Sequence, residues 1–173
     1  VRAAEFYRAV TVDRTNVLER LLSLFEREGI RYCVIGGLAV NAYVEPVVTL
    51  DLDVAIAAEQ FETAIAALRD EFDIEEFPHS VNVNAAGSSL RVQVQKGARY
   101  AEFVRRATER DVLEHRMRVA AVEDVLQGKI WAASDPERRG SKRQKDLADI
   151  ARIVEAYPDL RANVPREVLD RLV

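Results

Sequence analysis

The sequence predicts an α+β protein, a β-sheet flanked by helices that closes in a C-terminal helical segment. Three stretches predict it. An apolar run, Tyr32-Cys33-Val34-Ile35, meets Gly36-Gly37, as a buried strand does when it turns abruptly into a helix. Residues 50–56 alternate, so a strand there places Asp51 and Asp53 on one face and Leu52, Val54 and Ile56 on the other. From Val122 onward, apolar residues recur at helical spacing.

Taken in order, Val17, Leu18, Leu21, Leu22, Leu24 and Phe25 predict an amphipathic helix over 12–28. Asp13, Thr15 or Asn16 would cap it, and Gly29 sits where a C-terminal glycine belongs. The apolar strand follows, then a short helix over 37–43. Pro46 stops that helix, and 44–49 returns the chain to the carboxylate strand. A second amphipathic helix spans 59–71, and a strand is expected at 74–77. Alternation over 81–84 and 90–95, around the turn 85–88, predicts antiparallel pairing. A helix over 100–108 buries Tyr100, Phe103, Val104 and Ala107, and 111–119 contributes one short strand with Met117 and Val119. Helices over 123–133 and 145–156 are joined by a polar stretch, 134–141, and Arg166 begins a last turn or two. Residues 1–119 are expected to form the α/β core and 120–173 a helical region packed on it.

Composition narrows the function classes. With 173 residues, 49% hydrophobic and 31% charged, the chain can bury a real core and is neither disordered nor membrane-spanning in type. No apolar run approaches the about 20 residues that cross a bilayer, and residues 1–30 lack the pattern of a signal peptide. A cytoplasmic location with no membrane partner is expected. The lone Cys33 cannot form an intrachain disulfide and reads as a small core residue. His115 reads as a surface or turn histidine. A net charge of -4 argues against nonspecific nucleic-acid binding by the whole surface. The basic runs, one from Arg105 to Arg118 and one from Arg138 to Lys145, read as solvated helix faces.

The chemistry concentrates in residues 32–56. Two carboxylates as close as Asp51 and Asp53 repel, and a hard cation bound through oxygen offsets that repulsion. The double glycine leaves backbone N–H groups uncovered, which suits an anion. A divalent metal and a phosphate cradle at this separation point to a nucleoside triphosphate.

This order of elements resembles the nucleotidyltransferase fold shared by DNA polymerase beta, the minimal nucleotidyltransferases and the antibiotic-modifying nucleotidyltransferases. Locally it is similar to the bacterial abortive-infection (AbiEii-like) nucleotidyltransferase toxins. Their strand, Gly-Gly-x-Ala and Thr-x-Asp-x-Asp match Gly36-Gly37-Leu38-Ala39 and Thr49-Leu50-Asp51-Leu52-Asp53. Their later Lys, basic stretch and Asp-x-x-Asp-Ile match Lys129, then Arg138 and Arg139, then Asp146-Leu147-Ala148-Asp149-Ile150. The resemblance covers residues 17–154 and implies a nucleotidyltransferase-like mixed sheet.

It also implies an activity: metal-dependent transfer of a nucleoside monophosphate from an NTP to a tRNA or protein acceptor, toxin-like, with an antitoxin as partner. Asp51 and Asp53 would bind Mg²⁺ (or Mn²⁺), and Gly36 and Gly37 would hold phosphates through the backbone. Thr49, Arg91 and Gln93 would complete the nucleotide site. Lys129 would neutralise the outer phosphates, and Asp146 would orient a base or a cation. Solvated helix residues are the alternative for Lys129 and Asp146.

Two departures stand against this. Val47 replaces an Arg that many relatives carry after the proline, here Pro46. The third carboxylate of polymerase-type members has no counterpart on residues 90–95, where alternation turns Arg91, Gln93 and Gln95 to the site. Asp111, Glu114, Asp146 or Asp149 would have to substitute. The competing expectation is a catalytically degenerate relative that binds nucleotide or a partner without turnover, and a purely structural helix-rich module stands behind it.

Overall fold

Apolar spacing decides most of the elements, and glycine or proline most of their ends. The computed structural model describes residue 5 and residues 16–172. Helix α1, Val17–Arg27, buries Val17, Leu18, Leu21, Leu24 and Phe25 on one stripe. Beyond it Gly29 takes φ +64°, its N–H donates to the Glu26 carbonyl (3.2 Å), and the Ile30 N–H donates to the Phe25 carbonyl (2.9 Å). This is Schellman pairing, which a residue without Cβ allows at no steric cost. The expected helix start over 12–15, with caps Asp13 and Thr15, lies outside the described residues. Asn16 precedes α1 but makes no side-chain capping bond.

The strands are β1 Tyr32–Ile35, β2 Asp51–Ile56, β3 Asp73–Glu76, β4 Ser80–Asn84, β5 Arg91–Gln95, β6 Thr108–Val112 and β7 His115–Val119. Among the described residues they form one mixed sheet in the order β3-β4-β5-β2-β1-β7-β6. β1 runs antiparallel to β2, with Ile35 opposite Asp53. β2 runs parallel to β5, which sets Asp51 beside Arg91, Asp53 beside Gln93 and Ala55 beside Gln95. The expected antiparallel pairing of β4 with β5 is present. β1 and β2 lie at the centre, and every residue of β1 is buried.

The helices are α2 Gly36–Val40, α3 Phe61–Glu71, α4 Ala101–Arg106, α5 Val122–Ser134, α6 Gly140–Ala156 and α7 Arg166–Leu169. One apolar cluster runs from Leu21 of α1 through the sheet to Ile130 of α5, Ile150 of α6 and Val168 of α7. Polar ties reinforce it. The Tyr43 hydroxyl donates to the Ala120 carbonyl (2.7 Å), and the Tyr157 hydroxyl donates to the Tyr43 carbonyl (3.3 Å).

Four expectations about elements are corrected. The single strand at 111–119 is a hairpin, β6 and β7, turning at Leu113 and Glu114 with φ 53° and 64°. β6 is a charged edge strand, Thr-Glu-Arg-Asp-Val, with only Val112 buried, so it has no apolar alternation to read. The helix at 100–108 is shorter, a 3-10 turn at Ala98–Tyr100 followed by α4, because Thr108 already pairs with Val119. The helix at 59–71 likewise begins as a 3-10 turn, Ala58–Gln60. Helix α6 starts at Gly140 rather than at 145, since its first turn is polar without being a loop.

Candidate functional site

Strand β2 enters the site from a loop that is tied at several points. Asn41 brackets the turn, its Nδ2 donating to the Val47 carbonyl (2.7 Å) and its Oδ1 accepting from the Val47 N–H (3.0 Å). Arg152 of α6 donates to the Glu45 carbonyl. Thr49 is buried, and its Oγ1 accepts the Asp51 N–H (3.2 Å). A Cβ on Gly37 would make ordinary contact with Thr49.

The β2 alternation then sets Asp51 and Asp53 side by side on the face opposite the buried Leu52 and Val54. Gly36 is needed here for two reasons: its φ is +69°, and a Cβ would run into Asp53 Oδ2. No ion pair or hydrogen bond reaches the Asp53 carboxylate among the described residues. Burial, opposed by Lys129 and reinforced by Asp51, pushes its carboxyl up to about 6. Asp51 differs: Arg91 Nε lies 2.6 Å from its Oδ1, and Lys142 Nζ lies 3.2 Å from its Oδ2.

Facing β2 are α5 and the start of α6. Lys129 is buried between Asp146 (3.0 Å) and Asp149 (2.7 Å). Burial draws its pKa down, the two carboxylates outweigh that, and the ammonium is held above its ordinary value. The second Asp146 oxygen accepts from Arg138 Nε (2.9 Å), and Arg152 donates to Asp149 Oδ1 (2.8 Å). Between these walls lies a cleft of about 330 Å³ whose lining includes Gly36, Asp53, Gln93, Lys129, Arg138 and Asp146. Trp131 closes one side, stacked on Phe103 at 5.4 Å and covered by the Arg99 guanidinium at 4.7 Å. A larger concavity, about 450 Å³ between α1 and β7, is lined by none of the predicted site residues.

The predicted residues therefore fall into three groups. Asp53, Gly36, Gln93, Lys129 and Asp146 share the cleft wall, and Asp51 and Arg91 pair at its edge. Gly37 and Thr49 are not on the wall; they pack together behind it. Lys129 and Asp146 are not solvated helix residues but a buried pair. The β5 side chains meet Asp51 and Asp53 as the alternation requires, and no carboxylate is among them. Gln93 donates to Ser80 and Asn82 (3.2 Å each) and accepts from Gln95 (2.9 Å). Of the acidic substitutes, Asp111 and Glu114 lie on the β6–β7 hairpin away from the cleft, while Asp146 and Asp149 are committed to cations. Cys33 is a core residue whose thiol burial pushes up to about 12.

Lys142 escaped the sequence reading. Residues 142, 146 and 149 share one helix face, which a helix over 145–156 does not contain and the helix from Gly140 does. Among the described residues no cluster of three or more His, Cys, Asp or Glu side chains could hold a metal. Asp51 and Asp53 are a two-carboxylate set, one member unpaired and strained by burial. That fits Mg²⁺, which takes one or two carboxylates and completes its octahedron with water and phosphate oxygens.

Solved structures agree on the class. The structure is similar to the antibiotic-resistance factor ANT(2'')-Ia, at 12% identity and TM-score 0.57, over 84% of this chain and 90% of that one. It is similar to the lincosamide antibiotic adenylyltransferase LnuA, lincomycin-bound, at 14% identity and TM-score 0.57, over 83% and 99%. An antigenic nucleotidyltransferase-like protein from Paracoccidioides brasiliensis matches at 17% identity and TM-score 0.51, over 80% and 74%. The fold is that of the nucleotidyltransferases.

Within that class the sequence is specific. Residues 20–172 match the family described as "Nucleotidyl transferase AbiEii toxin, Type IV TA system", and the chain belongs to that family. No curated protein matches it significantly.

Proposed function

We propose that this protein transfers a nucleoside monophosphate from an NTP to a macromolecular acceptor, a tRNA or a protein. It would act with Mg²⁺ or Mn²⁺, as the toxin of a toxin–antitoxin pair in the cytoplasm. The observation that carries this reading is Asp51 and Asp53 side by side on β2, against the bare Cα of Gly36, beside a cleft whose lining also brings in Lys129 and Arg138.

Asp51 and Asp53 would hold the metal, which when bound supplies positive charge to the phosphate oxygens. Gly36, lacking a Cβ, leaves room for the Asp53 carboxylate, and its backbone on the cleft wall would contact the phosphates. Arg138 and Arg91 add positive charge at opposite sides. Reaction joins the acceptor hydroxyl oxygen to the α-phosphorus and breaks the bond to the α,β-bridging oxygen, releasing pyrophosphate, with the hydroxyl proton passing to solvent water. Gln93 and Gln95 have no basic site to take the acceptor proton; their amide chain instead holds the β5 side of the cleft rigid.

Incubation with labelled NTPs, Mg²⁺ and total tRNA or cell protein tests the reading. Transfer is expected from the intact protein and not from Asp51→Ala or Asp53→Ala; equal transfer by all three would sink it. The absent β5 carboxylate favours a second reading, a member of the fold that binds nucleotide or a partner without turnover. Thermal stabilisation by NTP and Mg²⁺ with no product on any acceptor would select it.

A further inference from the structure

Two lysines face the predicted phosphate site, and the structure separates them. Lys129 is buried and shared by Asp146 and Asp149. Moving it to a ligand would leave two buried carboxylates short of a partner, a costly exchange. Lys142 is different in each respect. Its side chain is 38% exposed, its one charged partner among the described residues is Asp51, and the contact is 3.2 Å long. An ion pair of that kind adds little stability and gives way readily. Arg91, 62% exposed, holds the other Asp51 oxygen at 2.6 Å. Both Asp51 oxygens are thus occupied by cations that come from two elements, β5 and α6, at the carboxylate that would receive a metal.

We propose that Lys142 is a triphosphate-binding residue held on Asp51 until the ligand arrives, so that divalent metal and triphosphate bind as a mutually dependent pair. The inference rests on the nucleotide reading above. A metal alone must compete with Lys142 and Arg91 for Asp51. A triphosphate alone meets the unpaired Asp53 and, in drawing Lys142 away, leaves Asp51 with Arg91 alone as its cation among the described residues. Together, the metal takes Asp51 while the phosphates draw Lys142 away, and each ligand raises the affinity of the other by the same factor. Lys142 reaches this point because α6 begins at Gly140: the same face carries Asp146 and Asp149, which lock Lys129 and fix the helix against α5.

The test uses inorganic triphosphate with Mg²⁺, which needs no knowledge of the base, and Mn²⁺ alone, read by electron paramagnetic resonance. In Lys142→Ala, Mg²⁺-triphosphate binding measured by calorimetry is expected to weaken about 10-fold, the loss of one charge-assisted contact. Mn²⁺ binding without triphosphate is expected to tighten severalfold, because Asp51 loses a competitor. Lys142→Arg should keep the triphosphate affinity. Lys145→Ala, the same charge change three residues along the helix, should leave both affinities within twofold. Wild-type binding with no change in Lys142→Ala, or both affinities falling together, overturns the role of Lys142 alone. Failure of the wild-type protein to bind Mg²⁺-triphosphate overturns the nucleotide reading itself.

Discussion

Asp53 carries the sharpest consequence of the site's electrostatics. Its folded-state value of about 6 lies above the ordinary 3.8. Between those values the native state keeps a proton that the unfolded chain has lost. Stability therefore falls as pH rises through the window from about 4 to 6 and is flat above it, with a total loss of about 1–3 kcal/mol. Without metal, Asp53→Asn is expected to be more stable than the wild type at pH 7 and nearly equal to it at pH 4.5. Urea unfolding in EDTA at the two pH values measures this, and a difference independent of pH would show that burial is not what raises Asp53. A bound cation would reverse the sign of the effect by pairing the carboxylate. At this scale Asp51, Asp53 and Gly36 were legible, because a strand of period two and a glycine pair declare their faces. Lys142 was not: it was one of several cations in a basic run, and only a helix beginning at Gly140 turns it toward Asp51.

Among the elements, the β6–β7 hairpin departs most from its sequence. Leu113 and Glu114 both adopt positive φ in a two-residue turn between Val112 and His115. Turns of that length favour Asn-Gly, since a Cβ in the left-handed region costs about 1–2 kcal/mol. Leu113 is partly buried against the core, which repays its strain, whereas Glu114 is exposed. Glu114→Gly is expected to stabilise the protein by about 0.5–1 kcal/mol, read as a higher urea midpoint with an unchanged slope. The same variant should leave nucleotide binding untouched, since the hairpin lies at the far edge of the sheet. Helices α3 and α5, the end of α1 and the alternating strands β2, β4 and β5 were recoverable to within a residue or two, because each buries one face. β6 and the first turn of α6 were not, because their side chains are mostly polar and their positions are set by pairing and by the ion network.

At the scale of the molecule, the cleft lies between the sheet and the helices α5 and α6, so a ligand there bridges two parts of the fold. A ligand present at 100 times its Kd adds about 2.7 kcal/mol to the native state, which for a chain of this size raises Tm by roughly 5–10 °C. Thermal melts with each of the four NTPs are expected to show that shift only when Mg²⁺ is also present and to lose it in Asp53→Asn. No shift with any nucleotide would count against the whole site. Among the described residues no helix is long and apolar enough to cross a membrane.

By itself the sequence determined the class of the sheet-and-helix core, the pair of carboxylates on β2 and the glycine beside them. It also showed that the β5 face carries Arg91, Gln93 and Gln95 in place of a carboxylate. Those are local facts: spacing of two or 3.6 residues, and the conformational freedom of one glycine. Only the tertiary structure decided that Lys129 is locked between Asp146 and Asp149, that Lys142 and Arg91 share Asp51, and that Asp53 stands unpaired. Partner choice among several cations and several carboxylates depends on which helix faces which strand across tens of residues. Burial then sets what each pairing is worth, and neither can be read from spacing along the chain.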